Sequence, residues 1–166
     1  MGAKTKAATD AVKNLYQARQ HAMGELATIL SEMPPIEVQY KAKAKAADDA
    51  YDAAVHKLGG DIIKANFDPT FSKLQLEQIK AGQELDEKWE EVKKWVNDNA
   101  GAYSGMDAAL KKLKEKIDKK KVLDFFKTQK SLPEAKTIYD DGVKANTLFQ
   151  QTLELAAADY KAYKFG

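Results

Sequence analysis

The feature that most restricts this chain is the three- and four-residue spacing of its apolar side chains. Tyr40, Ala44, Ala47, Tyr51, Ala54 and Leu58 form one unbroken stripe of this kind. Such spacing places side chains on one face of a helix but scatters them over both faces of a strand. Only nine Gly and four Pro occur in 166 residues, so long stretches contain no helix breaker. The chain is therefore expected to be all-α.

Five helices are predicted, at approximately 5–32, 35–58, 69–98, 105–118 and 132–163, with short helical turns near 61–66 and 122–129. Short connections between sequential helices make them antiparallel neighbours. The expected architecture is a single-domain antiparallel bundle over 1–166, built of elongated helix hairpins with coiled-coil-type packing. The first helix carries Ala8, Val12, Leu15, Ala22, Leu26, Ile29 and Met33 on one face. It should stop before Pro34–Pro35, because a residue preceding Pro avoids the helical region. Gly59 and Gly60 should end the second helix, with Asp61 capping the short turn after it. Asp68 and Pro69 suit the N-cap and first position of the third helix. Its stripe reads Ile79, Gly82, Leu85, Trp89, Val92 and Val96, and Gly82 on that stripe signals close backbone approach. The segment "NDNAGAYSG", residues 97–105, should end it, with Ser104 and Asp107 opening a fourth helix as a capping box. Ser131, Pro133 and Glu134 open the fifth, whose stripe is Ile138, Gly142, Ala145, Phe149, Thr152, Ala156, Tyr160 and Tyr163.

Charge is concentrated in one place. The whole chain is only +2, but residues 101–132 hold nine lysines against four acidic residues, a net +5. Seven of those lysines fall between Lys111 and Lys121. On a helix they surround a narrow apolar face of Leu110, Leu113 and Ile117 rather than forming one strip. Val122, Leu123, Phe125 and Phe126 centre on roughly the opposite side. That change of phase predicts a break or kink near 118–121, with "VLDFF" buried against another neighbour. A hairpin about Ala102 would set Glu84, Asp86, Glu87, Glu90 and Glu91 at the same levels as these lysines, so that the molecule complements itself. Arg19 is the only arginine among 27 basic residues. Base readout and bidentate phosphate recognition lean on Arg, which argues against sequence-specific nucleic-acid binding.

No catalytic signature is present: neither a nucleophile elbow, a P-loop, a dinucleotide fingerprint nor H-E-x-x-H occurs. The absence of cysteine removes thiol nucleophiles and thiolate metal sites. His21 and His56 each have a carboxylate four residues away, Glu25 and Asp52, but neither has the Glu-x-x-His spacing of helical di-metal sites. The expectation is a non-enzyme with no catalytic, cofactor-binding or metal-ligating residues and no cofactor. With no apolar h-region near the N-terminus, a cytoplasmic location is expected, or export without a cleaved signal peptide.

The function expected is a helical protein–protein interaction module of the adaptor, chaperone, toxin-neutralising or secreted-effector type, with another protein as partner. Trp95 and Tyr103 lie off the obvious stripes and are candidate partner contacts, together with Lys119, Lys120, Lys121, Phe125 and Phe126. The alternatives are an amphipathic bundle on an anionic membrane surface, and non-specific nucleic-acid binding through Lys111–Lys130.

Overall fold

The computed structural model describes residues 2–124, 127 and 131–166. Phe125 and Phe126, and half of the predicted turn at 122–129, lie outside the described residues. The chain is all-α, and no strand occurs among the described residues. Four helices are present there instead of five: α1 (Gly2–Lys57), α2 (Ile62–Ala65), α3 (Pro69–Asp124) and α4 (Ser131–Phe165). The chain forms two compact units, Met1–Ala27 with Val92–Gly166, and Thr28–Glu91.

The two expected breaks are absent, for related reasons. α1 runs through Pro34 and Pro35. Each proline removes one helical N–H and crowds the carbonyl four residues earlier, at a cost of ~3 kcal/mol in a helix interior. The carbonyls deprived of a donor are those of Leu30 and Ser31. The opposing term is a row of positions at seven-residue intervals, 12, 19, 26, 33, 40, 47 and 54, every one buried or half-buried. A break at 33–35 would throw its second half out of phase. α3 likewise runs through 97–105, where Asn99 donates its side-chain amide to the Trp95 carbonyl at 2.7 Å, within the helix. Its row is 71, 78, 85, 92, 99, 106, 113 and 120, again buried or half-buried throughout. The glycines of this segment, Gly101 and Gly105, are exposed and mark no turn.

Three further expectations fall with that continuity. There is no hairpin about Ala102, so the acidic run 84–91 and the basic run 111–121 share one helix and cannot face each other. The lysine side chains find other acceptors. Lys111 pairs with Asp107 on its own helix at 3.1 Å, and Lys116 donates to the Lys4 carbonyl at 3.1 Å. α3 also continues past 118–121 to Asp124, and Val122 and Leu123 after the lysines are exposed, by 67% and 41%. Ile79, placed on the predicted stripe, is exposed too, because the buried row passes through 78 and 81.

The caps predicted at Gly59–Gly60, Asp61 and Asp68 are in place, whereas Ser104 and Asp107, predicted to open a separate helix, lie inside α3. Gly59 and Gly60 take positive φ, and their N–H groups donate to the His56 and Val55 carbonyls, closing α1 in a Schellman arrangement. Asp61 Oδ1 accepts from the Ile63 and Lys64 amides at the start of α2. Asp68 Oδ1 accepts from the Thr70 and Phe71 amides, both at 3.1 Å, at the start of α3.

Within Thr28–Glu91, α1 and α3 run in opposite directions. Lys88 bonds Glu32, Lys43 pairs with Glu77 at 3.1 Å, and the Tyr51 and Phe71 rings meet at 5.1 Å. The Lys88 ammonium is held above its ordinary pKa by hydrogen bonds to Glu32 and then Glu91. Gly82 is the close approach expected of it, since a Cβ there would sit 3.2 Å from Tyr40 Cε2.

In the other unit, Val12, Met106, Leu110, Leu113, Ile117 and Ala135 form a buried cluster drawn from α1, α3 and α4. Gly142 admits α4 to it: a Cβ would come within 2.8 Å of Leu110 Cδ2 and 2.9 Å of Val12 Cγ1. The predicted α4 stripe from Ile138 to Tyr163 is buried or half-buried along its length.

Candidate functional site

Arg19 is the seventh residue after Val12 and the seventh before Leu26, so the buried row of α1 carries its side chain inward. It is 2% exposed and, with Asn146, one of two buried polar or charged residues among those described. The guanidinium lies over the Phe149 ring at 4.2 Å and is 5.6 Å from the Tyr103 ring centre. Its Nη2 donates to the Ala102 carbonyl. Nε and Nη1 are buried and have no hydrogen-bond partner among the described residues. No carboxylate there lies within ion-pair distance of it. Burial lowers its pKa to about 10, with Tyr103 acting in the opposite direction. The side chain is thus still a cation at neutral pH, but a cation without a counter-charge.

Arg19 also lines a cleft of about 370 Å³ between α1 and α4. Tyr16, Met23, Ala145 and Leu148 give it apolar walls, and Gln20, Asp141 and Lys144 give it polar ones. Gln20 Nε2 donates to the Tyr16 hydroxyl at 2.9 Å, one helical turn away. A second cleft of about 460 Å³ lies between Thr5–Lys13 and Glu134–Ile138, but no buried charge lines it.

The residues singled out from the sequence go to two different places. Trp95, expected as an off-stripe aromatic available to a partner, is a core residue, 4% exposed. Position 95 lies three residues after buried Val92, on a buried face of α3 wider than the predicted stripe. Its indole Nε1 donates to the Ala22 carbonyl at 2.6 Å and its ring meets Phe149 at 5.7 Å. Tyr103 is half-buried beside Arg19 in the same cluster. Lys119 and Lys121 are exposed and Lys120 half-buried in the last turns of α3, next to Val122 and Leu123. Arg19 itself was missed as a site residue; the signal was a charged side chain at the seven-residue spacing of Val12 and Leu26.

Of the two histidines, His21 meets Glu25 at 3.0 Å on the surface of α1 and His56 is exposed. No group of His and carboxylates able to hold a metal occurs among the described residues. No described helix is long and apolar enough to cross a membrane.

A different surface is apolar. The connection between α1 and α3 turns Ile62, Ile63 and Phe67 outward while Ala65 alone of α2 is buried. Ile63 is 70% and Phe67 79% exposed. No protein-family model, curated protein or solved structure matches the chain.

Proposed function

We propose that the protein is a non-enzymatic helical-bundle module that binds another protein, and that the apolar tip of Ile62, Ile63 and Phe67 is where it does so. The observation that carries the reading is the exposure of three large apolar side chains within six residues, in a turn whose backbone is capped and fixed at both ends. Each such side chain is worth ~1.5–3 kcal/mol when fully buried, and a fixed turn loses little freedom on docking.

Photo-crosslinking from position 63 in native cells tests this, with exposed Asp49 as the control position. One protein captured from 63 and not from 49, and lost in the Phe67→Asp variant, supports the reading. The same set of proteins at both positions refutes it. So does a concentration-dependent homodimer abolished by Ile63→Asp in sedimentation, since the tip then pairs with its own copy.

A second reading concerns the end of α3, where Lys119 and Lys121 are followed by exposed Val122 and Leu123. Basic and apolar groups side by side suit an anionic lipid surface. Absence of co-sedimentation with phosphatidylserine vesicles at low salt removes it.

A further inference from the structure

α3 carries a second pattern on the side away from its core. Val92, Trp95, Met106, Leu110 and Leu113 are its buried side. Opposite them run two rows at seven-residue intervals: Lys94, Gly101, Ala108 and Glu115 in one, Asp98, Gly105 and Lys112 in the other. All of these residues are exposed. Read in reverse, each row exchanges the sign of its charges. Lys94 changes place with Glu115, and Asp98 with Lys112, while the middle of both rows is small and uncharged.

We propose that two copies of the chain pair through this face of α3, antiparallel, about a two-fold axis at Gly105. Under such an axis, residue i of one copy meets residue j of the other, and j meets i. Lys94 then meets Glu115 and Asp98 meets Lys112, each pair formed twice. The same residues choose the orientation and the register. A parallel pair in register sets each charge against its like. An antiparallel pair shifted by one heptad sets Asp98 or Lys112 against Gly105 and Lys94 against Ala108 or Val122, so the Lys94–Glu115 pair is lost. At the axis neither row has a side chain longer than a methyl group, which lets the two helices approach to ~8 Å, the short end of helix packing distances. The Asp98–Lys112 pairs stand ~10 Å to either side of the axis, at 1.5 Å of rise per residue. Gly101 and Gly105 weaken a helix interior that they do not end. They also make no room for their own chain, since nothing lies within 4 Å of a Cβ at either position. No large apolar side chain occurs on either row between 94 and 115, so the pairing is electrostatic and falls with salt. It does not depend on the Ile62–Phe67 tip.

The test is sedimentation equilibrium of the full chain. A monomer–dimer equilibrium is expected at about 10 mM salt and its loss at about 1 M, where charges act over ~30 Å and ~3 Å respectively. Two double variants separate this face from a general effect of charge. Lys94→Glu with Lys112→Glu makes the rows wholly acidic, and Asp98→Lys with Glu115→Lys makes them wholly basic. Each alone should weaken self-association about tenfold or more, and an equimolar mixture should restore a one-to-one dimer, which also shows that both variants fold. Gly105→Leu should keep the helical circular dichroism and weaken the wild-type and the mixed dimer alike. The proposal is overturned by the absence of a dimer up to about 1 mM protein at low salt, a range that covers submillimolar dissociation constants. It is also overturned by a dimer indifferent to either double variant or to Gly105→Leu, or by a mixture that does not pair. A dimer abolished by Ile63→Asp overturns it too, since the tip and not α3 then joins the copies.

Discussion

Replacing Arg19 with Met should change the stability by no more than ~2 kcal/mol, contrary to the usual result for a buried arginine. A buried ion pair broken by removing one partner loses ~3–5 kcal/mol, because the other charge is stranded. Arg19 strands nothing when it goes, since no carboxylate pairs with it among the described residues. Its fall in pKa to about 10 corresponds to a burial penalty of ~3 kcal/mol for the charged form. The sign follows from linkage. The unfolded chain holds the Arg19 proton more tightly than the folded one, so the penalty is present in full below about pH 10 and is relieved only as the pH rises from there toward the ordinary guanidinium value. At neutral pH it is carried whole. Against its removal stand one charged hydrogen bond to the Ala102 carbonyl, ~1.5–3 kcal/mol, and the stacking on Phe149, ~2 kcal/mol when desolvated. Met returns part of the latter through sulfur–aromatic contact, ~0.3–1.5 kcal/mol. It also fills the same core position with apolar surface, which removes the two unpaired N–H groups. These terms leave the balance within ~2 kcal/mol of neutral, and in a chain of this size each kcal/mol moves the melting temperature by ~2–4 °C. Urea unfolding followed by circular dichroism measures it directly. A loss of more than ~2 kcal/mol would mean that Arg19 has partners the geometry does not show.

Other substitutions separate the local arguments. Gly142→Ala should destabilise by ~1–2 kcal/mol, because its methyl group meets the stiff Val12 side chain, whereas Gly24→Ala, with nothing within 4 Å of its Cβ, should gain ~0.5–1 kcal/mol; paired urea titrations compare them. Pro34→Ala and Pro35→Ala should each raise stability by ~1–3 kcal/mol through the restored N–H bonds to Leu30 and Ser31, read as a higher thermal midpoint. Asp68→Ala removes the acceptor of two amides and should cost ~1 kcal/mol, with faster hydrogen exchange at Thr70 and Phe71.

The helical class, the caps at Asp61 and Asp68, the Gly59–Gly60 stop and the start of the last helix were all legible, because each depends on a few adjacent residues. The continuity of α1 and α3 was not. Pro34–Pro35 and Gly101–Gly105 are local stop signals, and what overrides them is the burial of rows more than 40 residues long, a tertiary term that no short window contains. One error propagated: a helix broken at 97–105 folds the acidic run onto the basic one, and a continuous helix does not. Trp95 was set aside for another reason, a stripe drawn through Val92 and Val96 when the buried face of α3 also includes position 95. Arg19 was legible in principle. It sits on the stripe between Val12 and Leu26, but a charged residue on an apolar stripe is easily skipped when the stripe is drawn through its apolar members.

The burial of the chain's sole arginine also turns the molecule into its own unfolding gauge. An arginine-specific protease has a single bond to attack, Arg19–Gln20, and that bond lies inside α1 with its recognition side chain sealed in the core. Cleavage requires α1 to open. When opening and closing are fast relative to cleavage, the rate at which two fragments appear reports the population of that open form, with no dye, label or engineered site.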